Sequence, residues 1–417
     1  MLAPMRRLFP HGAIVMLVAT CATAAAGAAA GAAASAQAPA AGPLETRPAG
    51  SDYKPAFRNQ TRAPAAHSNT VLDVTPVVTG LELPSSFAFL PDGRMLIAET
   101  RGRVRIVDRS GKLSPPVAGV PAVHQKAING LMDVVLDPDF VRSHTLFFSY
   151  VEPREGGSGT ALARARLVDG PMPRLEDLKV IFRQLPTVES DSHFGARIAF
   201  APDGTLFLTL GERFLPETRT SAQDPGSLLG KIVRLDKDGK APRDNPFVGR
   251  AGARPEVWSI GHRNPEGVAF DPATGHLWSI EHGPKGGDEL NRIEPGRNYG
   301  WPVISYGVEQ SGEKLPGGAT VHAGMEQPVY YWDPVIAPSS MLFYTGRLFP
   351  AWRNSLFVGG LAGQKLSRLV LKDDRVVAEE WLLEDLHQRI RDVIQGPDGA
   401  LYVATDGGSI LRVTPVL

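Results

Sequence analysis

Four short stretches hold residue types at spacings that could do chemistry. In Asp191-Ser192-His193-Phe194-Gly195 an imidazole stands near a carboxylate and beside a glycine, at the entrance to an apolar run. Such a histidine suits a general base, because its free pKa lies near ~6.5; it suits a packed loop histidine as well, and His262 and His282 are rivals for the role. In Gly261-His262-Arg263-Asn264-Pro265 the proline restrains Asn264 to an extended backbone. Arg263 and Asn264 then offer a cationic fork and an amide, partners for carboxylate or quinone oxygens, or simply a structural turn. Gly283-Pro284-Lys285-Gly286-Gly287-Asp288-Glu289 joins exposed carbonyls to two acids. Calcium takes about six to eight oxygen ligands of these kinds, but the spacing is not that of an EF-hand, and an ordinary acidic turn has the same composition. In Arg389-Ile390-Arg391-Asp392 the alternation of an extended chain puts both guanidinium groups on one face. That face suits an anion, or a strand end paired with Asp392 or Asp385. Two of the four stretches fall inside Trp258–Trp301, the densest such run in the chain, which ends on Asn298-Tyr299-Gly300-Trp301. Tyr330-Tyr331-Trp332 could stack on a flat ring or fill the core.

The elements that must position these groups form a repeat. An apolar strand, a Pro-Asp-Gly-type turn and a second apolar strand recur at 87–100, 134–150, 198–212, 268–281 and 393–406, with a degenerate copy at 341–360. Proline presets the turn, Asp-Gly tolerates positive φ, and β-branched or aromatic flanks favour strands. One such unit cannot bury both its faces, whereas six around an axis can. The expectation is an all-β, six-bladed β-propeller over residues 69–417, with function in the loops between strands. Ser409–Pro415 is a candidate to close the ring by pairing with 71–80. An all-β sandwich fits the repeat count less well.

Lys+Arg and Asp+Glu balance at 44 each, which gives no argument for nucleic acid or a membrane surface. Residues 1–38 read as a signal peptide: Arg6 and Arg7, an Ala-rich run from Gly12, then Ala34-Ser35-Ala36 and Ala36-Gln37-Ala38. No membrane span is expected in the mature chain. Thr20 before the lone Cys21 fits a lipoprotein site poorly, so export would leave no cysteine, as suits a bacterial periplasm. Residues 39–68, rich in Pro, Ala, Arg and Ser, read as a flexible leader.

Taken together, NGLMDVVLDPDF, SHFGARIAFAPDG, LGKIVRLDKDG, GHRNPEGVAFDP, HGPKGGDELNRIEPGRNYGWP, WDPVIAPSSM and RIRDVIQGPDGALYVATD resemble the soluble quinoprotein sugar dehydrogenases. This is the glucose/sorbosone dehydrogenase family, and the aldose sugar dehydrogenase branch in particular. The resemblance spans roughly residues 78 to 414. It implies pyrroloquinoline quinone (PQQ) and calcium (Ca2+) as cofactors, an aldose sugar as substrate and a periplasmic electron acceptor. It implies His193 as general base, Arg263 and Asn264 at the quinone oxygens, and Arg389 and Arg391 at the cofactor's carboxylates. Glu289 and the backbone of Tyr299 resemble calcium ligands of the aldose branch; Gly283 and Pro284 resemble carbonyl ligands of the glucose dehydrogenases. Two positions depart. Ile128 stands where the family often has Gln, with Gln125 three residues earlier, and Ala362 stands where the glucose dehydrogenases have Lys, with Lys365 as the nearby substitute. A binding module that has lost catalysis, or a calcium-dependent lactonase-like hydrolase, would share the scaffold; the arginine set argues against the hydrolase, which has no tricarboxylate to hold.

Overall fold

A computed structural model describes residues 42–416, so the segment expected to be a signal peptide, with Cys21, lies outside the described residues. Each repeat supplies the first two strands of one antiparallel sheet, and the six sheets are the six blades. The first strands, Pro84–Phe89, Leu131–Leu136, Gly195–Phe200, Pro265–Phe270, Pro338–Phe343 and Ile390–Gln395, neighbour one another in a closed ring about the axis. Blades 1 to 6 are named in that order. In blade 6, Leu72–Val78 pairs antiparallel with Ser409–Pro415, with Val74 opposite Val413. The first and last parts of the domain therefore share one sheet, as their sequences suggested.

The turns work as the sequence implies. Asp203 accepts from the backbone N–H and hydroxyl of Thr205, and Gly204 takes φ +84°, a region that disfavours side chains. The second strands, such as Met95–Glu99, Leu206–Leu210 and Leu401–Thr405, are buried at every residue. A blade is covered on both faces by its neighbours, so these strands are apolar without clean alternation. Separate clusters fill the blade interfaces, for example Leu96, Val104 and Phe148 between blades 1 and 2 and Trp278, Met341 and Val358 between blades 4 and 5.

Residues 42–68 differ from the expected flexible leader. They run as an irregular strap on blades 4 and 5. Gln60 and Ala63 are buried. Tyr331 N–H donates to the Gln60 carbonyl, Ala66 N–H to the Glu379 carbonyl and Glu379 N–H to the Pro64 carbonyl. Asp333 accepts from the N–H groups of Gly50 and Ser51. A Pro-rich segment has little core of its own, but its extended backbone satisfies the open edges of Tyr330–Trp332 and Arg375–Leu382.

All six inner strands run the same way along the axis. The loops that enter them, and the loops that join second strands to third, therefore gather at one end. His193, Arg263-Asn264 and Arg389 all lie in or beside such entering loops.

Candidate active site

His193 sits two residues before the inner strand of blade 3, with φ +51°. The second strand of that blade passes close by: a Cβ on Gly211 would lie 2.0 Å from the His193 carbonyl oxygen, so only glycine fits there. Next to that glycine, Glu212 places Oε1 2.8 Å from His193 Nδ1. Burial, reinforced by the nearby charge of Arg263, holds His193 well below its ordinary pKa. Burial also pushes Glu212 up to about 7. Nδ1–H donation to Glu212 leaves Nε2 of a neutral imidazole with a free lone pair, the form a general base requires. Glu212 Oε2 accepts from Phe214 N–H at 2.9 Å.

Arg263 and Asn264 link the outer strand of blade 3 to the inner strand of blade 4. Glu281, at the end of the second strand of blade 4, fixes this turn: it accepts from Arg263 N–H at 2.7 Å and lies 2.9 Å from His262 Nδ1. His262 is fully buried and stacks on Tyr299. The Arg263 guanidinium donates Nη1 to the carbonyls of His282 and Gly283 at 3.0 and 2.7 Å and lies 5.1 Å from the Trp301 ring. Its Nε is buried without a partner, and burial lowers its pKa to about 10. Asn264 is held on both sides of its amide, accepting from Gly195 N–H and donating to Glu266.

Arg389 and Arg391 converge on Asp406 rather than on Asp392 or Asp385. Asp406 accepts from Nε of Arg389 at 2.8 Å and from Nε and Nη2 of Arg391 at 2.9 and 3.0 Å. Two guanidinium groups on one carboxylate leave a net positive cluster with spare N–H donors.

Glu289, Tyr299 and Gly283 meet with Glu281, Arg263 and Trp301 around a cavity of about 10 Å³. Asn291 Nδ2 bridges the carboxylates of Glu281 and Glu289 at 3.0 Å each. Burial, then the charge of Glu281, pushes Glu289 well above the usual carboxylate range. The Asn291 Oδ1 is buried without a partner. Pro284 is not part of this lining, and the Gly283 carbonyl is already taken by Arg263.

Lys365 is not brought to this group. Its ammonium lies over the ring of Trp381 on the outer strand of blade 5, and burial lowers its pKa to about 8. Ala362 is exposed, in the loop joining the second and third strands of that blade. Ile128 is 37% exposed in a loop tied to Asp191 through His124, Lys126 and Asn129.

Residues 81–412 match the sequence family described as glucose / sorbosone dehydrogenase. The chain belongs to the glucose/sorbosone dehydrogenase family. It is 44% identical over 340 residues to the aldose sugar dehydrogenase YliI of Escherichia coli K12, covering 80% of this chain and 91% of that protein. Against quinoprotein glucose dehydrogenase B of Acinetobacter calcoaceticus the identity is 27%, covering 80% and 85%. Among solved structures, the apo-form of the E. coli aldose sugar dehydrogenase superposes with a TM-score of 0.80 at 42% identity, over 83% of this chain and all of that one. The PQQ-bound aldose sugar dehydrogenase of Streptomyces coelicolor gives 0.68 at 29% identity, over 83% and 98%.

In this family member, sequence reasoning missed Glu212, Glu281 and Asp406, the carboxylates that orient the predicted groups. A signal was present. The repeats end in LTLGE, LWSIE and VATD, so an acid closes the second strand where the loops converge.

Proposed function

We propose that this chain oxidises aldoses at C1 to the lactone, with PQQ as redox cofactor and calcium as its partner ion. The observation that carries the reading is the His193–Glu212 pair, a neutral imidazole oriented by a carboxylate 2.8 Å away and close to Arg263, whose Nε is unpartnered. His193 Nε2 takes the proton of the anomeric hydroxyl while C1–H leaves as hydride and C1=O forms. PQQ, when bound, supplies the two-electron acceptor for that hydride, and calcium supplies Lewis acidity.

The residues present fit these groups. Arg389 and Arg391, balanced by only one carboxylate, have N–H donors left for the carboxylates of PQQ. The buried, unpartnered Nε of Arg263 is a donor for a quinone oxygen as negative charge grows there. Asn264 sits beside it and orients the turn. Glu289, with the Tyr299 carbonyl, is the ligand set we assign to calcium: two crowded buried carboxylates and an orphaned amide oxygen favour a dication. Gly283, whose carbonyl accepts from Arg263, and Pro284, outside the lining of the cavity beside Glu289, are left for a cofactor-bound ion. Lys365 takes no part.

Among the described residues no helix is long and apolar enough to cross a membrane. A signal peptide at 1–38 would place the enzyme in the periplasm, with a periplasmic electron carrier as acceptor. The test is to add PQQ and calcium to the purified protein, supply an aldose and an artificial acceptor, and follow dye reduction. Absence of reduction across a panel of aldoses, with no quinone absorbance retained on desalting, refutes the reading.

A further inference from the structure

One strained segment at the mouth is not explained by the roles above. Arg213 and Phe214 are consecutive residues in left-handed conformation, at φ +76° and +70°, and neither is glycine. Backbone held in this region by its surroundings is a pointer to function. Here the surroundings are explicit. The Arg213 guanidinium is wholly buried, donates to the carbonyls of Ser158, Ser190 and Ser192, and lies 3.9 Å from the ring centre of Phe194. Its own carbonyl accepts from Ser190 Oγ at 2.6 Å. On the other side the Phe214 N–H is clamped by Glu212 Oε2. The result is that Phe214 is 45% exposed, although it is a large apolar ring, and stands edge-on to His193 with ring centres 4.8 Å apart.

We infer that Phe214 is a specificity-determining residue: it is the apolar platform for the pyranose ring of the aldose, and it selects sugars by the face they turn to it. The inference rests on the oxidation at C1 proposed above. In a β-aldopyranose with equatorial hydroxyls, the C1–H that is lost is axial and shares a face with H3 and H5; H2 and H4 lie on the other face. Arg263, which acts on His193 electrostatically, is buried, whereas Phe214 is 45% exposed. A sugar whose O1 meets His193 and whose C1–H faces inward presents H2 and H4 outward, to Phe214. Glucose and xylose offer C–H groups there. Galactose and mannose offer an axial hydroxyl at C4 or C2, which would lose water against the ring without gaining a partner.

The experiment compares wild type, Phe214→Ala and Phe214→Trp, loaded with PQQ and calcium, on these four sugars, with the pH profile of kcat recorded for each variant. Phe214→Ala raises KM for glucose and xylose ~10-fold, leaves kcat and its pH profile in place, and changes KM for galactose and mannose less than about twofold; Phe214→Trp keeps the wild-type preference. A second readout needs no turnover. Saturation-transfer NMR on 1,5-anhydroglucitol, irradiating aromatic protons, favours H2 and H4 over H3 and H5 in wild type and loses that bias in Phe214→Ala. An unchanged KM, an equal rise for all four sugars, or a fall in kcat with a shifted pH profile overturns the inference, the last by showing that Phe214 acts through His193. Wild type that oxidises no aldose overturns the proposed function instead, and the NMR contrast still reports on the platform.

Discussion

Glu212→Gln separates the orienting role of Glu212 from a merely structural one. Burial pushes Glu212 up to about 7 from an ordinary 4.5. That difference corresponds to about 3 kcal/mol of preference for the protonated form in the folded chain. The sign follows from proton linkage. Below pH ~4.5 both folded and unfolded chains carry the proton and no difference is felt. Between ~4.5 and ~7 the unfolded chain loses it first, so stability drains away as pH rises; above ~7 the full penalty is present. Glutamine cannot ionise, so Glu212→Gln flattens this dependence and the variant gains on wild type by up to about 3 kcal/mol at pH 8, less the weakened bond to Phe214 N–H. Activity moves the other way. Protonated Glu212 holds the Nδ1–H of His193 poorly, so kcat/KM of wild type rises as pH passes through ~7, and the variant loses ~100-fold without that rise. Thermal melts from pH 5 to 8 and a pH-rate profile measure both. Parallel melting curves for the two proteins, or an unchanged limb near pH 7 in the variant, refute the reasoning.

His193→Ala abolishes turnover by at least ~100-fold while PQQ is still retained on desalting; loss of retention would make His193 a cofactor ligand instead. Glu289→Gln relieves a carboxylate that burial and Glu281 push well above the usual range. The variant therefore melts higher than wild type in chelator, and lower relative to wild type once calcium is added. Lys365→Met, which removes an ammonium lying on Trp381 rather than at the site, leaves kcat and KM within about twofold; because burial lowers the Lys365 pKa to about 8, the variant is no less stable than wild type by chemical denaturation at neutral pH, and a large loss of PQQ affinity would contradict the placement.

The blade count was legible because the repeat is physical: each Pro-Asp-Gly turn joins two strands whose apolar residues must be covered on both sides. His193, Arg263, Asn264, Arg389 and Arg391 could be placed at one end because all stand just before a repeat begins. Lys365 could not be placed, since a residue opening a third strand can face the axis or the outer strand, and only packing against Trp381 decides. The strap was illegible for a different reason. Polar, Pro-rich composition predicts poor self-burial, and residues 42–68 indeed have little core of their own; their order comes from the edges of blades 4 and 5, which no local pattern announces.

The orienting acids also bear on which histidine is proposed as the base. Within two residues of the end of the second strand, five blades carry a carboxylate: Glu99, Glu152, Glu212, Glu281 and Asp406. In blades 1, 2 and 6 its partners are arginines: Arg103 for Glu99, Arg154 and Arg183 for Glu152, Arg389 and Arg391 for Asp406. Burial works against the charge of Glu152 and Asp406, but the guanidinium bonds win and hold both below the ordinary range. Glu152 and Asp406 stay ionised and act as fixed anchors. In blades 3 and 4 the partner is an imidazole, His193 for Glu212 and His262 for Glu281. A neutral ring offers no full charge to offset desolvation, so burial wins at Glu212. Only one of the two imidazoles has a ring nitrogen open to a substrate. His262 is fully buried, with its second nitrogen 2.8 Å from Ser259 Oγ. His282 spends its Nε2 on the Pro338 carbonyl. His193 keeps 11% of its side chain exposed, with Nε2 open beside Phe214. The same acid position thus holds arginines or orients an imidazole according to its partner, and only blade 3 joins the oriented imidazole to an open face.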